Sequence, residues 1–370
     1  MLVEFLAKTD RVIRPYIVKY FPLFSTKIYS LYRKDFLNLL IKSIPKKIHL
    51  SEDLNVKVWD ISFNCNLFNS AGMFKNGFGY LLCYNQSAGA FLAGTTTYNI
   101  RLGNKKNNIE HPFIPLPKSK AALNWFGLPN DGHTIVANRL SQIEKKKNCP
   151  IGISISIDPE INENLGMKYL IEGFKLYEKA NVDFIELNES CPNVEHSNNS
   201  NNLLDNNLIL RLEYIRDKFL KYRNRNLPVV VKFASDTDLE QIPELIRLLV
   251  DMGFDGVNFG NTVKNYNNYI NKIDNDELVA FNNFTNTFGG GLSGYPIKGD
   301  ALRACKIAVE TRNKLKLANQ FAIIRTGGIF SYEDIEESNR IGVDLNQWFT
   351  GYFEEFSNYG HKLYKNLYKQ

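Results

Sequence analysis

The chain has 370 residues, 44% of them apolar, and a formal net charge of +6. This composition is typical of a soluble globular protein with a large core, and the length allows either two average domains or one large α/β barrel. The chain has five cysteines, an odd number, and none of them forms a CxxC pair: Cys65, Cys83, Cys149, Cys191 and Cys305. This pattern argues against a disulfide framework and against a zinc site, and it indicates a reducing compartment.

The positive charge is concentrated at the N-terminus. Residues 1–50 contain ten Lys or Arg and three acidic residues, so they carry +7 and the other 320 residues carry −1. A basic end can meet nucleic acid or an anionic membrane surface. The neutral body argues against a broad nucleic-acid surface, and we expect no nucleic-acid partner.

The N-terminal residues 2–44 mix apolar and basic side chains at spacings of three and four, which predicts two short amphipathic helices broken near Pro22. No run reaches the roughly 18 uncharged apolar residues of a spanning helix, and no secretory signal is recognisable. Aromatic residues and leucines opposite Lys and Arg suit a helix that lies in a membrane surface. A helical cap packed on the main domain is the alternative, and the two are compatible.

From Leu54 onwards, short apolar runs alternate with helical patterns such as 163–181, 237–253 and 298–317. The predicted strands are 66–73, 90–96, 151–156, 184–190, 229–234, 256–261, 321–328 and 343–349. Eight alternating units predict a (β/α)8 TIM barrel over residues 51–370, preceded by a helical extension over residues 1–50. An open doubly wound sheet is the alternative, but no GxGxxG follows the first strand. The segment 97–133 is long enough to hold its own hairpin or lid.

Small or hydrogen-bonding residues follow nearly every predicted strand. Because a barrel carries its chemistry at the carboxyl ends of its strands, this pattern predicts a polar ligand in the barrel mouth. The two lysines among them would balance charge on that ligand; surface lysines beyond the strand ends are the alternative. The residues concerned are Ala71, Gly72, Lys75, Thr95, Ser154, Asn188, Lys232, Asn261 and Thr262.

Three glycine-containing segments are candidates for a phosphate site: 289–294, 327–328 and 349–351. Glycines let backbone N–H groups approach an oxyanion, and the loops after the seventh and eighth strands are the usual phosphate site of a barrel. Histidines are dispersed without metal-ligand spacing, so we expect no metal and expect His133, His196 and His361 to be ordinary surface or loop residues.

Cys191 follows the fourth predicted strand, beside Pro192 and between Asn188 and Asn193. A thiol at a strand end could be a proton-transfer group or a nucleophile, with the carboxamides as donor–acceptor pairs for a planar polar ligand. A buried structural cysteine is the alternative.

The motifs at these positions resemble those of dihydroorotate dehydrogenases, the FMN barrel enzymes of pyrimidine synthesis. They are collinear over residues 54–370, and the N-terminal arm is similar to the two-helix extension of the membrane-bound, quinone-using class. The matching segments are NSAGMFKNG (69–77), AGTTT (93–97), LNWFGLPNDG (123–132), LNESCPN (187–193), VVVKFASD (229–236), NFGNT (258–262), GGLSG (290–294) and RTGGI (325–329).

The resemblance implies a role for each matched position. Cys191 matches the base that takes a proton from C5 of dihydroorotate, and Lys232 matches the lysine beside the flavin ring. The implied FMN contacts are Ala71, Gly72, Lys75, Thr95, Ser154, Asn188, Lys232, Gly260, Gly294, Gly328, Phe349 and Thr350. The implied substrate contacts are Lys75, Asn124, Trp125, Phe126, Gly127, Leu128, Asn188, Asn193, Asn261 and Thr262.

The chain departs from the membrane-bound class in its details. That class normally has serine as the base, whereas cysteine at 191 and SISI at 154–157 are similar to the soluble class. Residue 349 is Phe where the family usually has Tyr, and the Asn-rich loop after Asn193 lacks the usual Pro-Gly continuation. The chain therefore combines features of both classes.

The resemblance implies oxidation of dihydroorotate to orotate in de novo UMP biosynthesis, with electrons passed to a quinone. It also implies peripheral attachment to the cytoplasmic face of a membrane; a soluble cytoplasmic protein is the alternative. Rival functions are a fumarate- or NAD-linked dihydroorotate or dihydropyrimidine dehydrogenase, a tRNA-dihydrouridine synthase, and a catalytically silent flavin- or membrane-binding relative. The tRNA enzyme would need a basic body, which this chain lacks.

Overall fold

The computed structural model of the chain describes residues 2–189, 204–317 and 319–369. Its α-helices are α1 (Leu2–Tyr20), α2 (Pro22–Lys42), α3 (Tyr80–Gln86), α4 (His133–Ser141), α5 (Glu163–Lys179), α6 (Asn206–Lys218), α7 (Ile242–Asp251), α8 (Leu278–Phe288), α9 (Lys298–Lys314), α10 (Tyr332–Ile341), α11 (Thr350–Tyr359) and α12 (Leu363–Leu367). Its strands are β1 (Val56–Val58), β2 (Ile61–Phe63), β3 (Leu67–Asn69), β4 (Phe91–Thr96), β5 (Lys105–Lys106), β6 (Ile109–Glu110), β7 (Phe113–Leu116), β8 (Ala121–Asn124), β9 (Ile151–Ile155), β10 (Phe184–Asn188), β11 (Val229–Phe233), β12 (Gly256–Phe259), β13 (Gly291–Gly294), β14 (Ala322–Thr326) and β15 (Leu345–Trp348).

Eight of these strands form the barrel, in the order β3-β15-β14-β12-β11-β10-β9-β4. Each hydrogen-bonded neighbour runs parallel. The Asn69 side chain closes the ring between β3 and β4, since its Nδ2 donates to the Leu92 carbonyl at 2.7 Å and its Oδ1 accepts from the Leu92 N–H at 3.1 Å. The predicted (β/α)8 barrel is confirmed, and each predicted strand contains one of the observed barrel strands.

Aromatic residues fill the amino-terminal end of the barrel. The β1–β2 hairpin brings Trp59 and Phe63 against Phe68 and Phe184, with ring centres about 6 Å apart. Trp59 Nε1 also donates to the Asp255 carbonyl at 2.8 Å, which fixes the hairpin beneath the barrel. Because this end is closed by packed rings, a ligand must enter from the carboxyl ends of the strands.

The segment 97–133 contains the predicted hairpin, β5–β6, and two strands of a small antiparallel sheet, β7 and β8. The third strand of this sheet is β13, which comes from the glycine-rich segment 289–294 and pairs Gly291 with Asn124. That segment is therefore part of a strand that leads towards α9, and the small sheet forms a wall above the barrel mouth.

The N-terminal arm consists of α1 and α2, and Pro22 begins the second helix as the break at this position predicted. The helices are 19 and 21 residues long, longer than the short helices expected. They pack against β7, α8 and α11. Arg14 is 3.5 Å from Glu354 and Lys19 is 3.0 Å from Asp276, so ion pairs fix the arm to the barrel. Over the described residues, we find no helix with the length and hydrophobicity that crossing a membrane requires.

Two of the histidines expected at the surface are buried. His133 is fully buried at the start of α4, where its Nδ1 lies 3.0 Å from Thr96 Oγ1, and His361 is buried with its Nδ1 3.0 Å from Gln86 Nε2. Gly173 of α5 makes room for the His133 ring, because a Cβ there would lie 2.6 Å from it. The expectation of surface positions for His133 and His361 was wrong, because the spacing of histidines along the sequence does not determine which of them the fold buries. The third histidine, His196, lies outside the described residues.

Candidate active site

A cavity opens at the carboxyl ends of the barrel strands, beneath the small sheet. Most of the residues predicted to hold a cofactor or substrate line it together. They are Ala71, Gly72, Lys75, Thr95, Asn124, Phe126, Gly127, Leu128, Asn188, Lys232, Asn261, Thr262, Gly294, Gly328, Phe349 and Thr350. Segments far apart in sequence therefore meet at one site, as the barrel topology requires.

A row of polar side chains crosses the cavity wall between β4 and β12. Asn188 Nδ2 donates to Thr95 Oγ1 at 3.0 Å, and Asn261 Nδ2 lies 3.4 Å from Asn188 Oδ1. Thr95 Oγ1 also lies 2.9 Å from Ser154 Oγ. These contacts orient the carboxamides, which can then present fixed donors and acceptors to a planar polar ring.

Lys232 lies at the floor of this cavity and is only 2% exposed. Its Nζ donates to Gln347 Oε1 at 3.1 Å and is 3.5 Å from Glu186 Oε1. Burial lowers the pKa of the Lys232 ammonium, and the neighbouring Glu186 carboxylate partly opposes that shift. The floor therefore presents a cation whose charge depends on its buried partner.

The glycine-containing segments meet at another end of the cavity. Gly294 has φ +101° and a Cβ there would lie 2.3 Å from the Lys120 carbonyl; Gly328 has φ +70° and a Cβ there would lie 2.3 Å from Lys298. Both positions therefore require glycine. Ser293 Oγ lies 3.0 Å from Thr350 Oγ1 at the first residue of α11. Backbone N–H groups, two hydroxyls and a helix N-terminus together suit a phosphate group.

The segment that follows β8 forms the outer wall of the cavity. Lys75 Nζ lies 4.6 Å from the centre of the Phe126 ring, and the Arg33 guanidinium of α2 lies 4.2 Å from the same ring. Burial lowers the pKa of Arg33 to about 10. The N-terminal arm thus reaches the wall of the cavity through one aromatic ring.

Three predicted contacts are not among the residues that line the cavity. Ser154 lies behind Thr95, and Trp125 packs with its ring centre 6.2 Å from that of Phe288, in the core between the small sheet and α8. Gly260 lies where β12 meets β14, since a Cβ there would be 1.5 Å from the Thr326 carbonyl. Cys191 and Asn193 lie outside the described residues, so their predicted roles stay predictions.

Sequence reasoning missed a layer of polar side chains inside the barrel: Glu186, Asn258, Thr326 and Gln347. Thr326 and Gln347 line the cavity, whereas Glu186 and Asn258 lie behind it. Their inward position could have been predicted from spacing, because alternate residues of a barrel strand face the interior. Glu186, for example, is two residues before Asn188 and therefore shares its face of β10. In the described part of the chain, no cluster of three or more His, Cys, Asp or Glu could hold a metal ion.

Comparison with known proteins gives a consistent family. The family model described as dihydroorotate dehydrogenase matches residues 53–369. A curated relative from Dichelobacter nodosus, named dihydroorotate dehydrogenase (quinone), is 28% identical over 286 residues, which cover 76% of this chain and 77% of the relative. Its namesake from Wigglesworthia glossinidia brevipalpis is 26% identical over 349 residues, covering 93% of both chains.

Two solved structures of a dihydroorotate dehydrogenase from Eimeria tenella share the fold. The complex with ferulenol has a TM-score of 0.73 at 21% identity and covers 91% of this chain and 89% of that one. The ligand-free form has a TM-score of 0.75 at 20% identity, with 91% and 93% covered. Residues 1–50 are about 14% of the chain (50 of 370), so a match that covers 91% of it includes part of the N-terminal arm.

Proposed function

The chain belongs to the dihydroorotate dehydrogenase family, and we propose that it oxidises dihydroorotate to orotate for pyrimidine synthesis, with FMN as its flavin and a quinone as its electron acceptor. The curated relatives are named quinone-dependent dihydroorotate dehydrogenases. The observation that carries the proposal is the single cavity in which Lys232, the row of carboxamides and the glycine-rich phosphate-type site meet.

The residues of the cavity fit FMN. The phosphate would bind at Gly294, Gly328 and Thr350, and the ring would lie near Lys232, where a cation stabilises negative charge on a reduced flavin. Ala71, Gly72, Thr95 and Phe349 would complete the contacts. When bound, FMN supplies a hydride acceptor.

The remaining polar groups fit orotate, a planar amide ring that bears a carboxylate. Lys75 would neutralise the carboxylate, while Asn124, Asn188 and Asn261 would satisfy the ring amides. Thr262 Oγ1 is buried and has no hydrogen-bond partner among the described residues, although the residue lines the cavity. A buried hydroxyl without a partner is costly unless a ligand completes it, which supports a substrate contact here.

Proton removal is assigned to Cys191, which would take the proton from C5 of dihydroorotate, with Asn193 as a further substrate contact. In the sequence, Cys191 is three residues after Asn188, the last residue of β10. Its thiolate form would be the base, since the thiolate and not the thiol accepts a proton.

The N-terminal arm is proposed to rest on the cytoplasmic face of a membrane, where a quinone is available; a soluble cytoplasmic protein is the alternative. Both helices expose large apolar side chains beside lysines, the composition of an interfacial helix. The exposed apolar residues are Leu2, Phe5, Leu6, Val12, Ile13, Tyr16, Tyr20, Phe21, Leu23, Phe24, Leu31 and Tyr32.

The test is to release and identify the cofactor of the purified full-length protein and then to measure turnover of dihydroorotate with a short-chain quinone, fumarate or NAD as the acceptor. We expect FMN and quinone-dependent formation of orotate. Cys191→Ala should retain FMN and lose turnover, whereas Cys305→Ala, at a fully buried site away from the cavity, should retain both. Turnover with fumarate or NAD alone would reject the quinone, and undiminished turnover in Cys191→Ala would reject its role as the base.

A further inference from the structure

A layer of polar side chains lies inside the barrel, directly beneath the cavity. Five neighbouring strands each contribute one inward residue, and each of these residues is less than 10% exposed. In the order of the sheet they are Glu186 of β10, Lys232 of β11, Asn258 of β12, Thr326 of β14 and Gln347 of β15. Such a layer in an otherwise apolar interior is costly unless its groups satisfy one another.

Glu186 is the centre of this layer. Its Oε2 accepts from Asn258 Nδ2 at 2.8 Å and from Gln347 Nε2 at 2.7 Å, and its Oε1 is 3.5 Å from Lys232 Nζ. Thr326 Oγ1 donates within the layer, at 2.9 Å from Asn258 Oδ1 and 3.1 Å from Gln347 Oε1. The two amides occupy Oε2, whereas Oε1 faces the lysine as an ion pair without a hydrogen bond among the described residues.

Glu186 is the charged group that the layer places beside Lys232. The neighbouring strands β12, β14 and β15 present the neutral side chains of Asn258, Thr326 and Gln347. Arg325 of β14 belongs to the opposite face of the strand, where its NH1 donates to Ser338 Oγ at 3.0 Å. Without Glu186, no acidic side chain of the described residues would pair with the buried Lys232 ammonium, and a buried lysine without an anion loses its proton readily.

We propose that Glu186 is a positioning residue for the flavin site: it holds Lys232 in place and in its charged form, so that the floor of the cavity stays cationic. Glu186 does not line the cavity, so it acts through Lys232 and Gln347, which do. This inference rests on the proposed flavin function, whereas the ion pair itself can be tested without a flavin.

The first test uses the protein stripped of cofactor. Glu186→Gln removes the charge but retains the shape, and the midpoint of thermal unfolding should fall. The double variant Glu186→Gln/Lys232→Met should recover much of that loss, because removing both partners of a buried pair costs less than removing one. Glu277→Gln is the matched control, since Glu277 is an equally buried carboxylate that accepts from the Lys118 and Ser119 N–H groups away from the cavity. If the double variant is no more stable than the single one, Glu186 does not compensate Lys232.

The second test measures the flavin midpoint potential of the loaded protein against pH. A lysine keeps its charge below its pKa and loses it above, so the potential of Glu186→Gln should fall more steeply with rising pH than that of the wild type. Loss of the carboxylate alone adds an offset that does not depend on pH, so the same change in a Lys232→Met background should leave the slope of potential against pH unaltered, and Glu277→Gln should have the slope of the wild type. An equal slope in Glu186→Gln and the wild type, or the same steepening in the Lys232→Met background, would overturn the inference. A protein that takes up no flavin would contradict the proposed function and not the ion pair, which the unfolding test measures without a flavin.

Discussion

The guanidinium carbon of Arg33 lies 4.2 Å from the centre of the Phe126 ring. Arg33 belongs to α2 of the N-terminal arm, and Phe126 lines the cavity. The Lys75 ammonium lies 4.6 Å from the same ring centre. The arm therefore supports the wall of the cavity, in addition to the membrane contact proposed for its exposed surface.

Replacing Arg33 by Ala should raise the KM for dihydroorotate, because the Phe126 ring loses a stacking cation worth about 1 kcal/mol, or roughly fivefold. The affinity for FMN should not change. Steady-state kinetics of the full-length protein measures the effect. Lys34→Ala is the control, since Lys34 is the adjacent, exposed residue of the same helix. An equal rise in KM for both variants would show a general effect of charge on the arm.

Thr262→Val tests the hydroxyl that has no partner in the described structure. Valine has the same shape, so the ligand-free protein should be as stable as the wild type or more stable, while the KM for dihydroorotate rises. The control Thr311→Val removes a buried hydroxyl that donates to the Ile307 carbonyl at 2.8 Å. That variant should lose about 1 kcal/mol of unfolding free energy with no change in KM. A loss of stability in Thr262→Val would mean that the protein itself satisfies the hydroxyl.

The stability of the protein should depend on pH through His133. Burial lowers the pKa of His133 to about 3. The unfolded chain takes up a proton near pH 6.5 and the folded chain does not, so stability is lost as the pH falls below 6.5. Between pH 7 and pH 5 this loss is about 2 kcal/mol. The difference in unfolding free energy between these two pH values should therefore shrink by about that amount in His133→Gln.

His49→Gln is the control for this comparison, because His49 is exposed. Its difference between pH 7 and pH 5 should equal that of the wild type. A wild-type difference that survives in His133→Gln would show that other groups, such as the buried His361, cause the acid sensitivity.

The membrane contact can be tested on α2, where Leu23 is 65% and Phe24 is 63% exposed. Changing both to Glu should reduce binding to anionic liposomes, because the apolar face and the electrostatic attraction are weakened together. Reduction of the flavin by dihydroorotate should not change. The control Leu210→Glu alters an exposed leucine of α6 on the barrel. If the arm variant binds liposomes as tightly as this control, the arm is a cap on the barrel and not a membrane contact.

Much of the barrel could be predicted from the sequence because its strands are short apolar runs between amphipathic helices. Each of the eight predicted strands contains an observed one, although their ends were placed too late in runs such as 66–73, where β3 ends at Asn69. Strand ends depend on which backbone groups find partners in the neighbouring strand, and that is a tertiary property.

The lining of the cavity could be predicted where single residues at strand ends form it, as at Asn188 and Lys232. The buried polar residues beneath that lining were missed. Glu186 has the period-two spacing of an inward residue, but only the closed ring brings Asn258 and Gln347, far apart in sequence, to its carboxylate. Trp125 shows the converse, since it is adjacent to Asn124 and Phe126 of the cavity wall but packs on Phe288.

The cavity at the carboxyl ends of the barrel strands is proposed to bind a flavin that dihydroorotate reduces. The most direct measurement is the visible spectrum of the purified full-length protein, recorded before and after anaerobic addition of dihydroorotate. We expect a flavin band that bleaches on addition and returns when a quinone is added. A flavin band that persists would contradict the assignment of the substrate, and the absence of any flavin band would contradict the assignment of the cavity itself.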